Sequence, residues 1–436
     1  MLGLGASGES AARLLRTEGR SVTIFDERPS AERAAVLTSL GATVIAASAE
    51  TAIPDDSDLC VLSPGVSSDH PWVRRVRERG IEVVPEFEFG WSRLHARVVA
   101  VTGTNGKSTA VKFAAELLQA AGLRVAIGGN YGVPVCRIAL ERSSPDWLVL
   151  ELSSFQLEAA RAFRAEVGIL LNLAPNHLDR HGTMENYIAA KARLFARVGE
   201  GDHGLAPREW MTRMRETSSG RGAWHTFGSA VDDEYCWRAG GVWHLEREVM
   251  DLRGTYFDNP ILGVNAAAVA GGLCAAGIPL GNAKAVAHTF KPLPHRMELV
   301  AEADGVRYVN DSKATTLTAV GAALKMAGGP TRLIAGGLLK ETDLNGVKEM
   351  LALHARGVYL IGKAAKEMSA SWSDVVLCRM SGTLEQAMVD ASNDAQPGEI
   401  VLLSPGCASF DQFKNFEERG EIFRRTAVAM AGERVQ

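Results

Sequence analysis

The chain has 436 residues, with 47 Lys and Arg against 51 Asp and Glu, a formal charge of −4. It is too long for one ordinary hydrophobic core, and its length implies roughly two to four domains. The composition is ordinary, 46% hydrophobic and 22% charged, and its near-neutral balance gives no electrostatic case for nucleic acid or an anionic membrane as main partner.

The chain opens on Gly3-x-Gly5-x-x-Gly8, with Asp26 ending the next strand, a pattern like a dinucleotide-binding loop. Only Met1 and Leu2 stand where its strand should be, so either that strand is truncated or the true start lies upstream. Alone, the loop fits an NAD pyrophosphate, a UDP pyrophosphate, or nothing. Strands are read at Ser21–Asp26, Ala42–Ile45, Leu59–Ser63 and Ile81–Pro85, and amphipathic helices at Glu9–Glu18 and His70–Arg79. Strand and helix in alternation predict a parallel sheet with crossover helices.

A second block begins with the apolar strand Arg97–Thr102, then Gly103–Thr109 and a helix over Ala110–Ala121. Further strands are read at Trp147–Leu150 and Val167–Asn172. From about residue 202 to 260 periodicity fails, and a loop or β-hairpin excursion is expected before a helix at Asn265–Ala276. Lys291-Pro292-Leu293-Pro294 reads as a stiff linker. Beyond it, strands are expected at Val306–Asn310, Arg332–Ala335, Gly357–Ile361 and Ile400–Ser404, with helices between them and one closing the chain.

Cys60, Cys136, Cys236, Cys274, Cys378 and Cys407 form no C-x-x-C pair. They fit no zinc framework and read as reduced, mostly core thiols, as in a cytosol. The Gly-rich, soon charged start is not read as a signal peptide. Runs such as Val98–Val101 are too short to span a bilayer.

The strongest motif is Gly103-Thr104-Asn105-Gly106-Lys107-Ser108-Thr109, between a strand and a helix. Glycines let backbone N–H groups close round phosphate oxygens, and the helix start adds a positive dipole end. Lys107 can reach the terminal phosphates and Ser108 can ligate Mg²⁺. A Gly turn that merely starts a helix explains neither the lysine nor the two hydroxyls.

Glu151-Leu152-Ser153-Ser154-Phe155-Gln156-Leu157-Glu158 follows a strand. Glu151 can hold a metal that bridges phosphates, while Ser153 or Ser154 caps a helix. Asn172–His181 gathers polar groups and His177 at another strand end, which suggests a site rather than core. Lys191, on a helix, reads from physics alone as solvated. In the third block, Arg296 could grip a phosphate, and Asp311, within Asn310–Thr315, could accept from a ribose hydroxyl. An interdomain salt bridge and a helix cap would explain the same pair. Ser404–Gly420 reads from physics alone as a capped helix packing three phenylalanines.

Taken in order, Gly103–Thr109, Glu151–Glu158, Asn172–His181, His295-Arg296, Asn310–Thr315 and Ser404–Gly420 resemble the motifs of the Mur ligases. The resemblance runs from Gly3 to Gly420. The phosphate loop is shared with folylpolyglutamate synthases. The Glu151–Glu158 and Ser404–Gly420 segments are more specific and resemble those of members that add D-glutamate. The implied fold is α/β in three domains. They are a Rossmann-like N-terminal domain at 1–93 for the UDP part of the substrate, a central P-loop ATPase domain with a mainly parallel sheet at 94–293, and a Rossmann-like C-terminal domain at 294–436 for the amino acid.

The implied reaction joins D-glutamate to UDP-N-acetylmuramoyl-L-alanine with ATP and Mg²⁺, through an acyl phosphate. The resemblance places ATP on Gly103, Thr104, Asn105, Gly106, Lys107, Ser108, Thr109, Asn265, Arg296 and Asp311. Ser108, Glu151, His177 and a carbamylated Lys191 serve metals, and Lys107, Glu151, His177 and Lys191 form the catalytic set. Ala6, Ser7, Asp26, Glu27, Arg28 and Asn130 border the UDP-sugar, and His177 also touches substrate. Thr315, Lys340, Ser409, Phe410 and Phe416 surround D-glutamate. A cytoplasmic monomer with no nucleic-acid or membrane partner is expected.

Three positions depart from the family pattern. Asn176 stands where an acidic residue is usual, Val264-Asn265 followed by Ala268 replaces His-Asn and a second Asn, and Phe410 replaces leucine. The rival readings are another Mur-type or folylpolyglutamate ligase, an NAD-dependent oxidoreductase built on Gly3–Gly8, and a non-catalytic nucleotide-binding regulator. The Ser409–Phe416 segment disfavours the first, and the oxidoreductase leaves Gly103–Thr109 unexplained.

Overall fold

The computed structural model describes residues 1–48, 50–141, 144–340 and 343–434. Its first segment carries strands β1 (Thr23–Asp26), β2 (Thr43–Ala46), β3 (Leu59–Leu62) and β4 (Glu82–Pro85), and helices α1 (Ala6–Thr17), α2 (Ala31–Ser39), α3 (Pro71–Glu78) and α4 (Glu86–Trp91). β1 pairs in parallel with β2, and β3 with β4. Leu2 joins the two pairs, bridging both Phe25 and Leu62 in parallel sense. Its N–H donates to Val61 O at 3.0 Å, and the N–H of Gly3 donates to Phe25 O at 2.8 Å. One residue thus takes the place of the expected first strand. Gly8 must be glycine because a Cβ there would lie 2.0 Å from the Gly3 carbonyl oxygen.

Strands β5 (Arg97–Thr102), β6 (Val125–Gly129), β7 (Trp147–Glu151), β8 (Val167–Leu170), β9 (His203–Ala206), β10 (Ala223–Gly228), β11 (Tyr235–Arg238), β12 (Gly241–His244) and β13 (Arg247–Asp251) follow. Among the described residues they form one sheet in the order β13-β12-β11-β10-β9-β8-β5-β7-β6. β6 to β11 are parallel, and β11, β12 and β13 form an antiparallel meander. β7 and β8 are buried along their whole length, as near-continuous apolar runs in a parallel sheet covered on both faces must be. The helices are α5 (Lys107–Ala120), α6 (Val135–Ala139), α7 (Ser154–Ala159), α8 (Leu178–His181), α9 (Met184–Ala192), α10 (Arg208–Thr217), α11 (Pro260–Ala275) and α12 (Ala283–Thr289).

The stretch from 202 to 260 is more ordered than expected. It holds a hairpin, as predicted, but β9, α10 and β10 first extend the parallel sheet. These strands run only four to six residues and are largely half-buried, too short for alternation to register. The outermost strand, β13, is edged by ion pairs. Asp251 meets Arg253 at 2.8 Å and Lys284 at 2.7 Å, and Arg253 also meets Glu248 at 3.1 Å.

The polypeptide divides into two compact units, Met1–Asp258 with Leu262–Phe290, and Asn259–Ile261 with Lys291–Gln436. The second carries strands β14 (Glu298–Ala303), β15 (Val306–Asn310), β16 (Thr331–Gly336), β17 (Ala355–Ile361), β18 (Cys378–Gly382) and β19 (Ile400–Leu403). Among the described residues their order is β14-β15-β19-β16-β17-β18, all parallel except β14. Helices α13 (Leu317–Ala327), α14 (Lys348–His354), α15 (Ala365–Trp372), α16 (Leu384–Asp394) and α17 (Phe416–Arg434) complete it. All six cysteines are free thiols, four of them buried. Among the described residues no helix is long and apolar enough to cross a membrane.

Helix α4 follows β4 without a break, and its first turn holds two buried carboxylates, Glu86 at 2% and Glu88 at 4% exposure. Burial pushes the Glu86 carboxyl up to about 7, against the opposing pull of its hydrogen bonds from Cys136. The fold therefore favours the neutral acid. That contribution is complete below the ordinary value of 4.5 and is lost as pH rises through about 7. The stability of the wild type relative to Glu86→Gln should fall by roughly 3 kcal/mol across that window, measured by urea unfolding from pH 4 to 8. A difference independent of pH would contradict this.

Candidate active site

Between β5 and α5 the chain turns through Gly103 at φ 147° and Gly106 at φ 82°. Gly106 precedes α5 in the left-handed region, and α5 starts without a side-chain cap, the condition under which a helix start receives an anion. Asn172, just after β8, clamps the loop in both directions. Its Oδ1 accepts from the Asn105 N–H at 2.9 Å and its Nδ2 donates to Asn105 O at 3.1 Å. Thr104 Oγ1 accepts from the Ala174 N–H at 3.0 Å and lies 3.0 Å from the Tyr187 hydroxyl. Asn265 packs against Gly106, where a Cβ would lie 2.5 Å from Nδ2.

Lys107 folds back over the loop, its Nζ donating to Gly103 O at 2.9 Å and Thr104 O at 2.8 Å. Lys191 Nζ donates to the same Gly103 oxygen at 2.8 Å. Lys191 is 2% exposed, contrary to the solvated lysine that helix position alone suggests. Burial holds its amine well below the usual lysine range, and Lys107 lowers it further, against an opposing pull from Glu151. Glu151 ends β7 and is buried. Ser108 Oγ donates to its Oε2 at 2.5 Å and Asn130 Nδ2 to its Oε1 at 2.6 Å. The structure thus brings Lys107, Ser108, Asn130, Glu151 and Lys191 into one connected cluster.

His177 is exposed, at φ 54°, immediately before α8. Its ring packs on Phe155, centroids 4.9 Å apart. His181 is the buried histidine of this segment, with Nε2 2.9 Å from Ser154 Oγ and its ring stacked on Phe155. Among the described residues no three His, Cys, Asp or Glu side chains group to hold a metal. The hard oxygens of Ser108 and Glu151 beside a phosphate loop still fit Mg²⁺, which usually takes one or two carboxylates together with substrate phosphates.

In the first segment, Ala6 and Ser7 open α1, which also begins without a side-chain cap. Asp26 Oδ2 accepts from the Leu4 N–H at 2.7 Å and Oδ1 from the Arg28 N–H at 2.8 Å, so this carboxylate braces the glycine loop. Glu27 and Arg28 are exposed, and Glu27 Oε1 lies 3.4 Å from His70 Nε2.

The second unit gathers its predicted residues around the C-terminal ends of β15, β16 and β19. Asp311 accepts from the Met297 N–H at 3.2 Å and from Ser404 Oγ at 3.0 Å. Burial raises its carboxyl to about 7, opposed by those bonds and by Arg296. Ser409 is buried, Thr315 and Phe416 are half-buried, Lys340 is exposed, and Phe410 is 68% exposed. Lys313 Nζ stands over the Phe416 ring at 5.1 Å. Sequence reasoning missed Arg419, which is fully buried. Its guanidinium donates to Ser312 Oγ at 3.0 Å, Ser312 O at 2.8 Å and Cys407 O at 3.2 Å, tying the Asn310–Thr315 and Ser404–Gly420 segments together. The only signal was an arginine in a first helical turn that otherwise holds Phe416, Glu417 and Glu418.

Three family descriptions match the chain: a Mur ligase MurD-like N-terminal domain at residues 1–85, a Mur ligase middle domain at 101–251, and a Mur ligase glutamate ligase domain at 295–407. UDP-N-acetylmuramoylalanine–D-glutamate ligase of Acidobacterium capsulatum is 35% identical over 99% of this chain and 96% of its own length. The chain belongs to the Mur ligase family. The ligase of the same name from Gloeobacter violaceus is 36% identical over 99% of both chains. Two solved Mur ligases share the fold. MurF of Thermotoga maritima with ADP has TM-score 0.60 and 16% identity, over 88% of this chain and 97% of that one. MurC of the same organism has TM-score 0.58 and 18% identity, over 99% and 98%. Escherichia coli FolC with ADP also has this fold, with TM-score 0.57 and 18% identity over 79% and 93%.

The left-handed turn at Gly106 yields a direct test. Gly106→Ala combines a positive φ with a clash against Asn265, and should weaken ATP binding by about tenfold or more, read with a fluorescent ATP analogue. Gly122 has nearly the same φ, 83°, but open space around it. Gly122→Ala should lower stability and leave ATP affinity unchanged.

Proposed function

We propose that this Mur ligase adds D-glutamate to UDP-N-acetylmuramoyl-L-alanine with ATP, a step in the synthesis of peptidoglycan precursors. One observation carries the substrate assignment: full-length relatives from several bacterial lineages, 35–36% identical, share the name UDP-N-acetylmuramoylalanine–D-glutamate ligase. The reading includes domain limits at 93/94 and 293/294, and a monomer working in the cytoplasm.

A carboxylate is a poor electrophile until one oxygen becomes a good leaving group. The substrate carboxylate attacks the γ-phosphorus of ATP, and the bond to ADP breaks. The amine of D-glutamate then adds to the acyl carbon, and inorganic phosphate departs as the amide forms. Lys107, folded over the phosphate loop, stabilises charge on the phosphoryl group in flight. Asn130 and Ser108 hold both oxygens of Glu151 in fixed directions. When bound, Mg²⁺ supplies charge neutralisation on the phosphates, with Ser108 and Glu151 as its ligands and His177 and a carbamylated Lys191 serving a second ion. The depressed Lys191 amine supports the carbamate, because CO₂ adds to a neutral amine and not to an ammonium. Ala6, Ser7, Asp26, Glu27 and Arg28 border the UDP end, and Arg296 and Asp311 meet the nucleotide. Thr315, Lys340, Ser409, Phe410 and Phe416 surround D-glutamate, where the exposed Lys340 matches a dicarboxylate.

Phosphate release from ATP should require both UDP-N-acetylmuramoyl-L-alanine and D-glutamate. Release with another amino acid or acceptor would keep the chemistry and overturn the substrates. Lys191→Ala should lose activity, and added short carboxylates should restore part of it. A folded variant that no carboxylate rescues would count against the carbamate.

A further inference from the structure

Neither Glu86 nor Glu88 has a part in the chemistry above, yet both are buried carboxylates, and burying such groups is costly unless they are satisfied. They reach away from their own helix. Glu86 Oε1 accepts from the Cys136 N–H at 2.7 Å, at the start of α6. Glu88 accepts from the N–H groups of Arg161 at 2.8 Å and Ala162 at 2.7 Å, just beyond α7. These contacts close the two arms that carry the phosphoryl-site residues. One arm runs from Asn130 to α6 and the other from Glu151 to α7, and Asn130 and Glu151 are bonded to each other.

The apolar side chains of α4 are divided in the same way. Phe87 lies in the core of the central sheet, where it and Trp91 both meet Phe163 edge-on at 5.2 Å. Phe89 lies in the core around α1, beside Leu4, Ala11 and Ile24. The helix therefore belongs to two cores at once. It continues directly from β4 of the sheet that presents the Gly3–Gly8 loop.

We infer that Glu88, assisted by Glu86, is a positioning residue that fixes the Glu151–Ala162 arm against α4 and so sets the span between the UDP end and the phosphoryl end of the substrate site. This rests on the substrate reading above, in which one molecule must reach both ends. A span set in this way governs turnover of the long substrate and leaves ATP binding, which is local to the Gly103–Thr109 loop, unaffected.

Glu88→Gln keeps the shape, removes the charge and puts a donor where an acceptor is needed. Glu88→Asp shortens the reach and serves if the glutamine variant fails to fold. Three quantities are measured on the full chain: affinity for a fluorescent ATP analogue, kcat and KM for the UDP substrate, and hydrogen exchange over residues 152–162. The inference predicts ATP affinity within about twofold of wild type, kcat lowered about tenfold to a hundredfold, and faster exchange at Arg161, Ala162 and α7. Unchanged kcat with faster exchange would overturn the positioning role. Unchanged exchange would overturn the clamp. A loss of ATP affinity equal to the loss in kcat/KM would reduce Glu88 to general scaffold and overturn the inference. A wild-type chain inactive on the UDP substrate would instead sink the substrate reading, while the exchange measurement still decides the clamp.

Discussion

Two lysine amines converge on one carbonyl oxygen, that of Gly103, and the rest of the phosphate site follows from that crowding. Burial disfavours the charged form of a lysine, and a second ammonium close by disfavours it further. Lys191 yields because it is the more deeply buried, while Lys107 retains some exposure. The result is a lysine folded over the phosphate loop beside a buried amine whose charged form is disfavoured. The arrangement holds only while the Gly103 carbonyl stays fixed, and this is what Asn172, Ala174 and Tyr187 accomplish by holding Thr104 and Asn105 of the loop.

Much of this was legible in the sequence because in parallel α/β sheets the polar residues gather where strands end. Gly103–Thr109, Glu151 and Asn172 each follow an apolar run, and all three lie at the same edge of one sheet. Lys191 was not legible in this way. Its helix position looks solvated, and only the packing of α9 against the loop buries it, so a resemblance selected it where periodicity could not. Arg419 was missed for a related reason, since a charged residue in a first helical turn normally faces water.

The fold was legible in proportion to burial. The central strands β5, β7 and β8 and the C-terminal strands β15, β16, β17 and β19 were read correctly. β14 and β18 escaped because they lie at the edges of their sheet and mix charge with apolar residues. Glu86 and Glu88 hid α4, since acidic residues alternating with Phe87 and Phe89 show no helical period and give no hint of a helix shared by two cores. Leu2 is the converse case: too short to count as a strand, it still joins both halves of its sheet.

The charged rim of β13 bears on the fate of the protein at high concentration. An open sheet offers its last strand as a template on which another chain can grow. Here Glu248 and Asp251 stand on that strand, locked to Arg253 and Lys284. An incoming strand would have to strip these ion pairs of partners and water before gaining a single backbone bond. The meander that lengthens the sheet therefore also ends it, and guards this edge of a large, mostly parallel sheet against edge-to-edge aggregation.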